Sequence, residues 1–374
     1  DLFEPPIMGA ANHIRLKGYE NNIIASSTGD SGKSIEDLSK ESQVQRLYGV
    51  YTQALNFGKQ AVARTQSSVY NPAIFWLQGE WNYTQEGSGL TSGSKPNNTK
   101  AGYKQLLLTL KNNMQNDVQH IYGQKERPLF ITYQTGGQYV RGRMVEIGMA
   151  QVEAANENTD IVCAGPLYQM TNYSHGHLDA NGYRWYGEML GKVYYKTKIL
   201  GQKFIPLQPQ SIRRDLSNPK KIIIKFQVPV PPLVLDTKIL PKIADYGFLV
   251  YSKRATQTIT GIQIISLDEV EITCANDLTD DVEITYAGEN ATGQGNLRDS
   301  DPYQAVFNYV DIDAKDSNGN YIFPRNDNRS LRPAYQPVDD NGKIIYDQPY
   351  PLYNFCVGFY YKLPKDQTEI EILS

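Results

Sequence analysis

The spacing of apolar residues changes once along this chain, near Gly201, and that change restricts the fold more than any other feature. Before it, apolar residues recur at helical intervals. Val44, Leu47, Tyr48, Tyr51, Ala54, Leu55 and Ala61 predict a helix over Gln43–Thr65, and Leu106, Leu107, Leu110, Met114, Val118 and Ile121 predict another over Tyr103–Tyr122. Further helices are expected at Val145–Asn156 and Tyr183–Lys196. Between them lie short apolar runs at Ile74–Leu77, Pro128–Tyr133 and Asp160–Cys163, read as buried strands, with one more strand expected at Asn21–Ser27. Four successive apolar residues, as at Ile74–Leu77, suit a strand covered on both faces. The alternation of strand and helix predicts an α/β domain over residues 1–200, a doubly wound parallel sheet with helices on both faces. Residues 1–20, with Pro5, Pro6 and Gly9, are assigned no element of their own.

After Gly201 the helical period is absent. Pro206, Pro209, Pro219, Pro229, Pro231 and Pro232 separate short strand candidates. The candidates are Ile222–Phe226, Gly247–Tyr251, Ile259–Ile265, Glu269–Cys274, Val282–Tyr286, Val306–Val310 and Phe355–Tyr361. Short strands at regular intervals predict a β-sandwich or jelly roll over residues 201–374. Asp316–Asn320 and Asp339–Lys343 read as hairpin turns centred on Asn-Gly. The acidic run Asp311–Asp316 lacks the spacing and the closing Glu of an EF-hand loop, so no metal is expected there.

Bulk properties exclude several classes. A net charge of −3 and a pI near 5.9 leave no basic footprint for nucleic acid. No apolar run approaches the ~18 residues that a membrane span requires. The segment Asp1-Leu2-Phe3-Glu4-Pro5-Pro6 has neither the basic region nor the apolar core of a signal peptide. Cys163, Cys274 and Cys356 are odd in number and widely spread, which marks them as small buried hydrophobes rather than a disulfide framework. Tyrosine is abundant, at 27 residues; strands enrich it, and its flat ring with a polar tip also suits polar ligands.

Three blocks carry the chemistry. The first is the turn Thr28-Gly29-Asp30-Ser31-Gly32-Lys33-Ser34-Ile35, followed by Glu36-Asp37-Leu38 with the look of a capping box at Ser34. The second is Gln78-Gly79-Glu80, at the polar end of the Ile74–Leu77 strand, where open α/β sheets bind ligands. The third is His177-Leu178-Asp179-Ala180-Asn181-Gly182-Tyr183, a histidine just before a helix. The Gly-, Ser- and Asn-rich segment 82–100 reads as a long exposed loop, the kind that forms a lid or substrate groove.

In order and spacing these blocks resemble the SGNH (GDSL-type) hydrolases over residues 1 to about 200. The nearest branch is the sialate O-acetylesterase-like carbohydrate esterases, whose third block reads Gln-Gly-Glu. The resemblance implies a flavodoxin-like sheet and serine-type ester hydrolysis of an acetylated glycan or polysaccharide, with no metal and no cofactor. It assigns His177 as the base, and the Gly32 main-chain N–H and the Gln78 amide as oxyanion donors. Serine hydrolysis needs all of these groups: an activated hydroxyl, an imidazole, something to orient it, and donors for the oxyanion.

Two positions depart from the family. Gly29-Asp30-Ser31 spells the nucleophile motif, yet Gly32 is followed directly by the helix and strand that belong after the second block. The attacking serine is therefore expected upstream of residue 1, with Ser31 as nucleophile only if none lies there. The family's orienting Asp, three residues before the histidine, is replaced by Ser174, and Glu80 is the candidate acid in its place. Segments Gly295–Ser300 and Leu352–Phe355 are similar to the tail domain that follows such esterases in bacterial and phage proteins. That similarity implies a tailspike or fibre deacetylase, a homotrimer, and a place in the virion tail. The rival expectations are a non-catalytic glycan-binding module and a purely structural tail component.

Overall fold

A computed structural model describes residues 5–65, 67–171, 177–310, 314–320 and 347–373. The first half runs α1 (Pro6–Leu16), α2 (Ile35–Leu38), α3 (Gln45–Ala63), β1 (Ala73–Trp76), α4 (Glu80–Thr84), α5 (Lys100–Tyr122), β2 (Leu129–Gln134), α6 (Glu146–Glu157), β3 (Ile161–Pro166) and α7 (Ala180–Tyr194). The three strands pair in parallel in the order β1-β2-β3. Successive side chains of a strand point to opposite faces, and that alternation divides the core. Ile74, Phe130 and Ile161 lie in register and pack under α3, α5 and α6. Their neighbours Phe75, Ile131 and Val162 turn the other way and join the cluster that holds Ala10 and Ile14 of α1 and Trp185, Tyr186 and Leu190 of α7. Helices therefore cover both faces of a parallel sheet.

One expected strand is absent and two helices, α1 and α4, are additional. Asn21–Ser27 forms no strand: Ile23 and Ile24 are 38 % and 58 % exposed, and no described strand pairs with them. Without a ladder partner a short apolar run gains too little to fix its backbone. Helix α1 begins on Pro6, where the missing N–H costs nothing. It packs very closely on α7, because a Cβ at Gly9 would lie 2.9 Å from the Arg184 carbonyl oxygen and one at Gly191 2.7 Å from the His13 Cβ. The long loop after residue 82 begins as helix α4, and the rest runs irregularly to Thr99, which caps α5.

The second half is β4 (Gln208–Arg214), β5 (Lys221–Gln227), β6 (Val234–Leu235), β7 (Phe248–Ser252), β8 (Ala255–Thr256), β9 (Ile259–Ile264), β10 (Glu269–Cys274), β11 (Val282–Tyr286), β12 (Leu297–Arg298), β13 (Gln304–Asn308), β14 (Pro349–Pro351), β15 (Phe359–Leu363) and β16 (Glu369–Glu371). A five-stranded antiparallel sheet has the order β16-β4-β5-β10-β9, a four-stranded one β15-β11-β7-β8, and two short pairs complete it. Their inner faces meet through Ile222, Ile224 and Phe226 on one side and Val250, Ile284 and Phe359 on the other, with the Phe226 and Phe359 rings 6.3 Å apart. Asp316–Asn320 is a tight turn, closed by Asp316 N–H to the Asn320 carbonyl at 2.8 Å. Asp339–Lys343, Asp311–Asp313 and Ser174 lie outside the described residues. All three cysteines are free and buried, as their spacing implied.

The two halves share one core, since the same cluster contains Tyr133, Met189 and Leu190 together with Phe226, Phe248 and Tyr286. A buried polar joint fastens them. His13 Nδ1 lies 2.6 Å from Glu188 Oε2, and Glu188 also accepts the Val306 and Phe307 N–H groups at 2.7 Å each. Lys192 pairs with Asp301 at 3.0 Å, both side chains being buried.

Candidate functional site at the carboxyl edge of the parallel sheet

Strand β1 ends at Trp76, and the chain turns through Leu77 into Gln78, which is buried. Both N–H groups of its amide are engaged: Nε2 donates to the Lys33 carbonyl at 3.1 Å and to Asn82 Oδ1 at 2.7 Å. The Tyr103 hydroxyl lies 2.9 Å from both the main-chain oxygen and Oε1 of Gln78. Asn82, one helical turn further on, accepts from Ile35 N–H at 2.9 Å and donates to Glu36 Oε2 at 2.9 Å and to the Asn97 carbonyl at 3.0 Å. Glu36 is itself buried and accepts Asn97 N–H at 2.6 Å. A buried carboxylate needs such donors, and here they stitch the Gly32 turn, the Gln-Gly-Glu turn and the 85–99 loop into one unit.

Gly32 sits at φ +65°, a conformation that glycine adopts without strain. The position of its missing Cβ is 3.0 Å from the Trp81 indole, so the first two blocks touch. Ser34 caps α2 through the reciprocal bonds of a capping box with Asp37, as the sequence suggested. Ser31 is exposed on the turn before Gly32.

Glu80 opens α4. Its Oε1 accepts hydrogen bonds from two hydroxyls, Tyr133 Oη and Thr135 Oγ1, the latter at 2.9 Å. Both donors leave the carboxyl end of β2 on the same side, two residues apart. Burial, reinforced by the Glu80 charge and the hydrogen bond to it, holds the Tyr133 phenol well above its ordinary pKa.

His177 is exposed on the loop between β3 and α7. Its C-terminal neighbours anchor it: Leu178 is buried, and Asp179 caps α7 by accepting Gly182 N–H at 2.7 Å while also accepting Thr171 Oγ1–H at 2.7 Å. In a parallel sheet the turns after β1, β2 and β3 all leave one edge, and at strand spacing the ends of β1 and β3 stand about 10 Å apart. The fold therefore brings Gln78 onto the Lys33 carbonyl beside Gly32, places Glu80 against the end of β2, and carries His177 on the loop between β3 and α7. Tyr133, Thr135, Asn82 and Glu36 are participants to which the sequence reading gave no role in the site. Only the alternation of Tyr133 and Thr135 across the end of a predicted strand could have marked any of them.

Among the described residues no group of three or more His, Cys, Asp or Glu gathers as metal ligands would. Two open clefts, of about 500 and about 250 Å³, lie on the β-rich half beside Lys220, Lys253 and Asp277 and beside Arg213, Asp215 and Glu369. Neither includes a residue of the sheet-edge cluster, and the site reading rests on that cluster's hydrogen bonds.

No family model and no curated protein matches the chain. Among solved structures, the N-terminal part of the bacterial S-layer protein SbsC aligns over 97 % of this chain and 96 % of that one, at 10 % identity and a TM-score of 0.20. The S-layer protein rSbsC(31-844) aligns over 85 % of this chain and 50 % of that one, at 12 % identity and a TM-score of 0.19. Superpositions this loose carry neither fold nor function across.

Proposed function

We propose that the chain is a carbohydrate O-acetylesterase of the SGNH type, removing acetyl groups from a glycan by serine-type hydrolysis. The observation that carries this reading is the contact between the first two blocks, in which Gln78 donates to the Lys33 carbonyl beside Gly32 at the carboxyl edge of a parallel sheet. His177 is the base, Gly32 and Gln78 supply oxyanion donors, Glu80 orients the imidazole, and Ser31 is the attacking hydroxyl only if no serine upstream of residue 1 takes that role. The fold that goes with the reading is a doubly wound, flavodoxin-like sheet followed by a β-sandwich that presents the glycan, in a homotrimeric tail protein. In the reaction the imidazole takes the serine proton as the hydroxyl attacks the acetyl carbonyl and returns it to the departing sugar oxygen, leaving an acetyl-serine; water, deprotonated by the same imidazole, then cleaves that ester, releases acetate and restores the serine.

A second reading, a glycan-binding module without turnover, draws on the state of Gln78. Both of its N–H groups are already engaged, so an oxyanion would have to displace the Lys33 carbonyl or Asn82. Acetate release from an O-acetylated polysaccharide separates the two. The esterase releases acetate and loses at least a hundredfold with His177→Ala, whereas the module binds the same polysaccharide and releases none.

A further inference from the structure

The joint between the two halves holds more than an ion pair. Lys192 lies on α7, and its Nζ meets three acceptors from the β-rich half: the Leu352 carbonyl at 2.5 Å, Asn354 Oδ1 at 3.0 Å and Asp301 Oδ2 at 3.0 Å. Asn354 comes from the loop between β14 and β15, and Asp299 and Asp301 from the loop between β12 and β13. The Asn354 Nδ2 donates to Asp299 Oδ2 at 2.6 Å and to Asp301 Oδ2 at 3.3 Å. A single oxygen of Asp301 therefore touches both the lysine nitrogen and the amide nitrogen. Lys192 and Asp299 are 0 % exposed, Asn354 2 % and Asp301 3 %.

Three acceptors match the three donors of an ammonium. Burial nevertheless brings Lys192 down to about 8, with the repulsion of Lys196 adding to it and the attraction of Asp301 opposing it. Above that pH the amine has a lone pair, and Cγ of Asn354 is one bond beyond the oxygen that the amine touches. Of the two carbonyl groups in reach, only Asn354 carries a nitrogen that can leave, since the nitrogen bonded to the Leu352 carbonyl stays tethered in the chain.

We propose that Lys192 and Asn354 condense into an isopeptide bond that ties α7 to the β-rich half. The free amine attacks Cγ of Asn354 and forms the Nζ–Cγ bond. Asp301 Oδ2 takes one of the two amine protons and passes it to Nδ2; the Cγ–Nδ2 bond breaks and ammonia leaves. Lys192 keeps its other proton as the amide N–H, so the balance closes with no further reactant. Asp299, whose carboxyl burial holds above its usual range, fixes Asn354 by accepting Nδ2 and, at 2.9 Å, the main-chain N–H. The other titratable groups facing this pair are Lys196, 3.1 Å from Asp301 Oδ2, and Tyr303, whose ring centre is 5.7 Å from Lys192 Nζ. Tyr303 in turn meets Lys17 and His13, the latter bonded to Glu188. Folding supplies the proximity, which replaces an encounter between separate molecules. Chains kept near neutral pH retain the ion pair, and chains aged at alkaline pH exchange it for the covalent bond. The step does not involve the sheet edge, so its outcome is independent of the esterase reading.

The test is intact-mass spectrometry of the full chain, aged at about pH 7 or about pH 9, with peptide mapping of the product. The chain is expected to become lighter by one ammonia, about tenfold faster at the higher pH, as the free-amine fraction of a group titrating at about 8 requires. Mapping is expected to find one branched peptide joining Lys192 to Asn354. Lys192→Met and Asn354→Ala are expected to keep their full mass. Asp301→Asn is expected to slow the loss by about tenfold or more, in a chain whose thermal melt shows it folded. A folded parent that keeps its full mass at both pH values overturns the proposal, whatever the variants do. So does a loss of ammonia without the branched peptide, as a succinimide at Asn318-Gly319 would give.

Discussion

Gln78 combines two demands in one side chain. As a buried amide it satisfies the Lys33 carbonyl, Asn82 and Tyr103, and as an oxyanion donor it would act on the substrate. Gln78→Ala therefore removes several buried partners at once, and unpaired buried groups cost about 1–3 kcal/mol each. The expected result is a clear fall in melting temperature, measured by calorimetry, in addition to any loss of rate. The blocks around Gly32, Gln78 and His177 were legible in the sequence because their residue types and order are themselves the signal. Asn82, Glu36 and Tyr133 were not. Each is an ordinary polar or aromatic residue in its local stretch, and acquires a role only when segments 46 to 61 residues apart come together.

At the scale of elements, periodicity located α3, α5, α6, α7 and the three parallel strands to within a few residues, because each buries a regular face. It missed α1, whose small residues make close backbone packing against α7 rather than an apolar stripe. It placed the strand now numbered β15 too early, since residues 355–357 are buried but pair only through isolated contacts. Two element-level predictions follow from named contacts. Ser34→Ala removes the hydroxyl that accepts Asp37 N–H while leaving the main-chain N–H of residue 34 on the Asp37 carboxylate, and the expected loss is about 1 kcal/mol in chemical denaturation. Gly293 lies at φ +68°, a Cβ there would collide with the Gly137 carbonyl oxygen, and Gly137 N–H donates to Gly293 O at 3.1 Å. Gly293→Ala is expected to destabilise by about 1–3 kcal/mol and to loosen the turn after β2, seen as faster amide exchange at Gly137.

Over the whole molecule, the shared core and the buried joint make the β-rich half part of the support of the sheet edge. Asp301 is held below the usual carboxylate range by Lys192 and Lys196 against the opposing effect of burial, while burial brings Lys192 down to about 8. The unfolded chain keeps the Lys192 proton up to about pH 10.4, and the folded chain releases it above about 8. Between those values the unfolded state binds more protons, so this group makes stability rise with pH. Lys192→Met is expected to flatten that rise in denaturation curves collected from pH 8 to 10. Asp301→Ala leaves the buried ammonium without its carboxylate, and the expected loss is about 3–5 kcal/mol. The sequence showed that two regimes meet near Gly201, but not that they would fuse, because the joint draws His13, Glu188 and Asp301 from segments far apart in the chain.

The central claim, that imidazole at residue 177 drives ester cleavage at the sheet edge, has one most direct measurement. Initial rates of p-nitrophenyl acetate hydrolysis are compared for the parent and His177→Ala, at matched folded concentration and across pH 5 to 9. The account predicts a parent that turns over and a variant slower by about 10³-fold or more at every pH. Equal rates for the two proteins would contradict it.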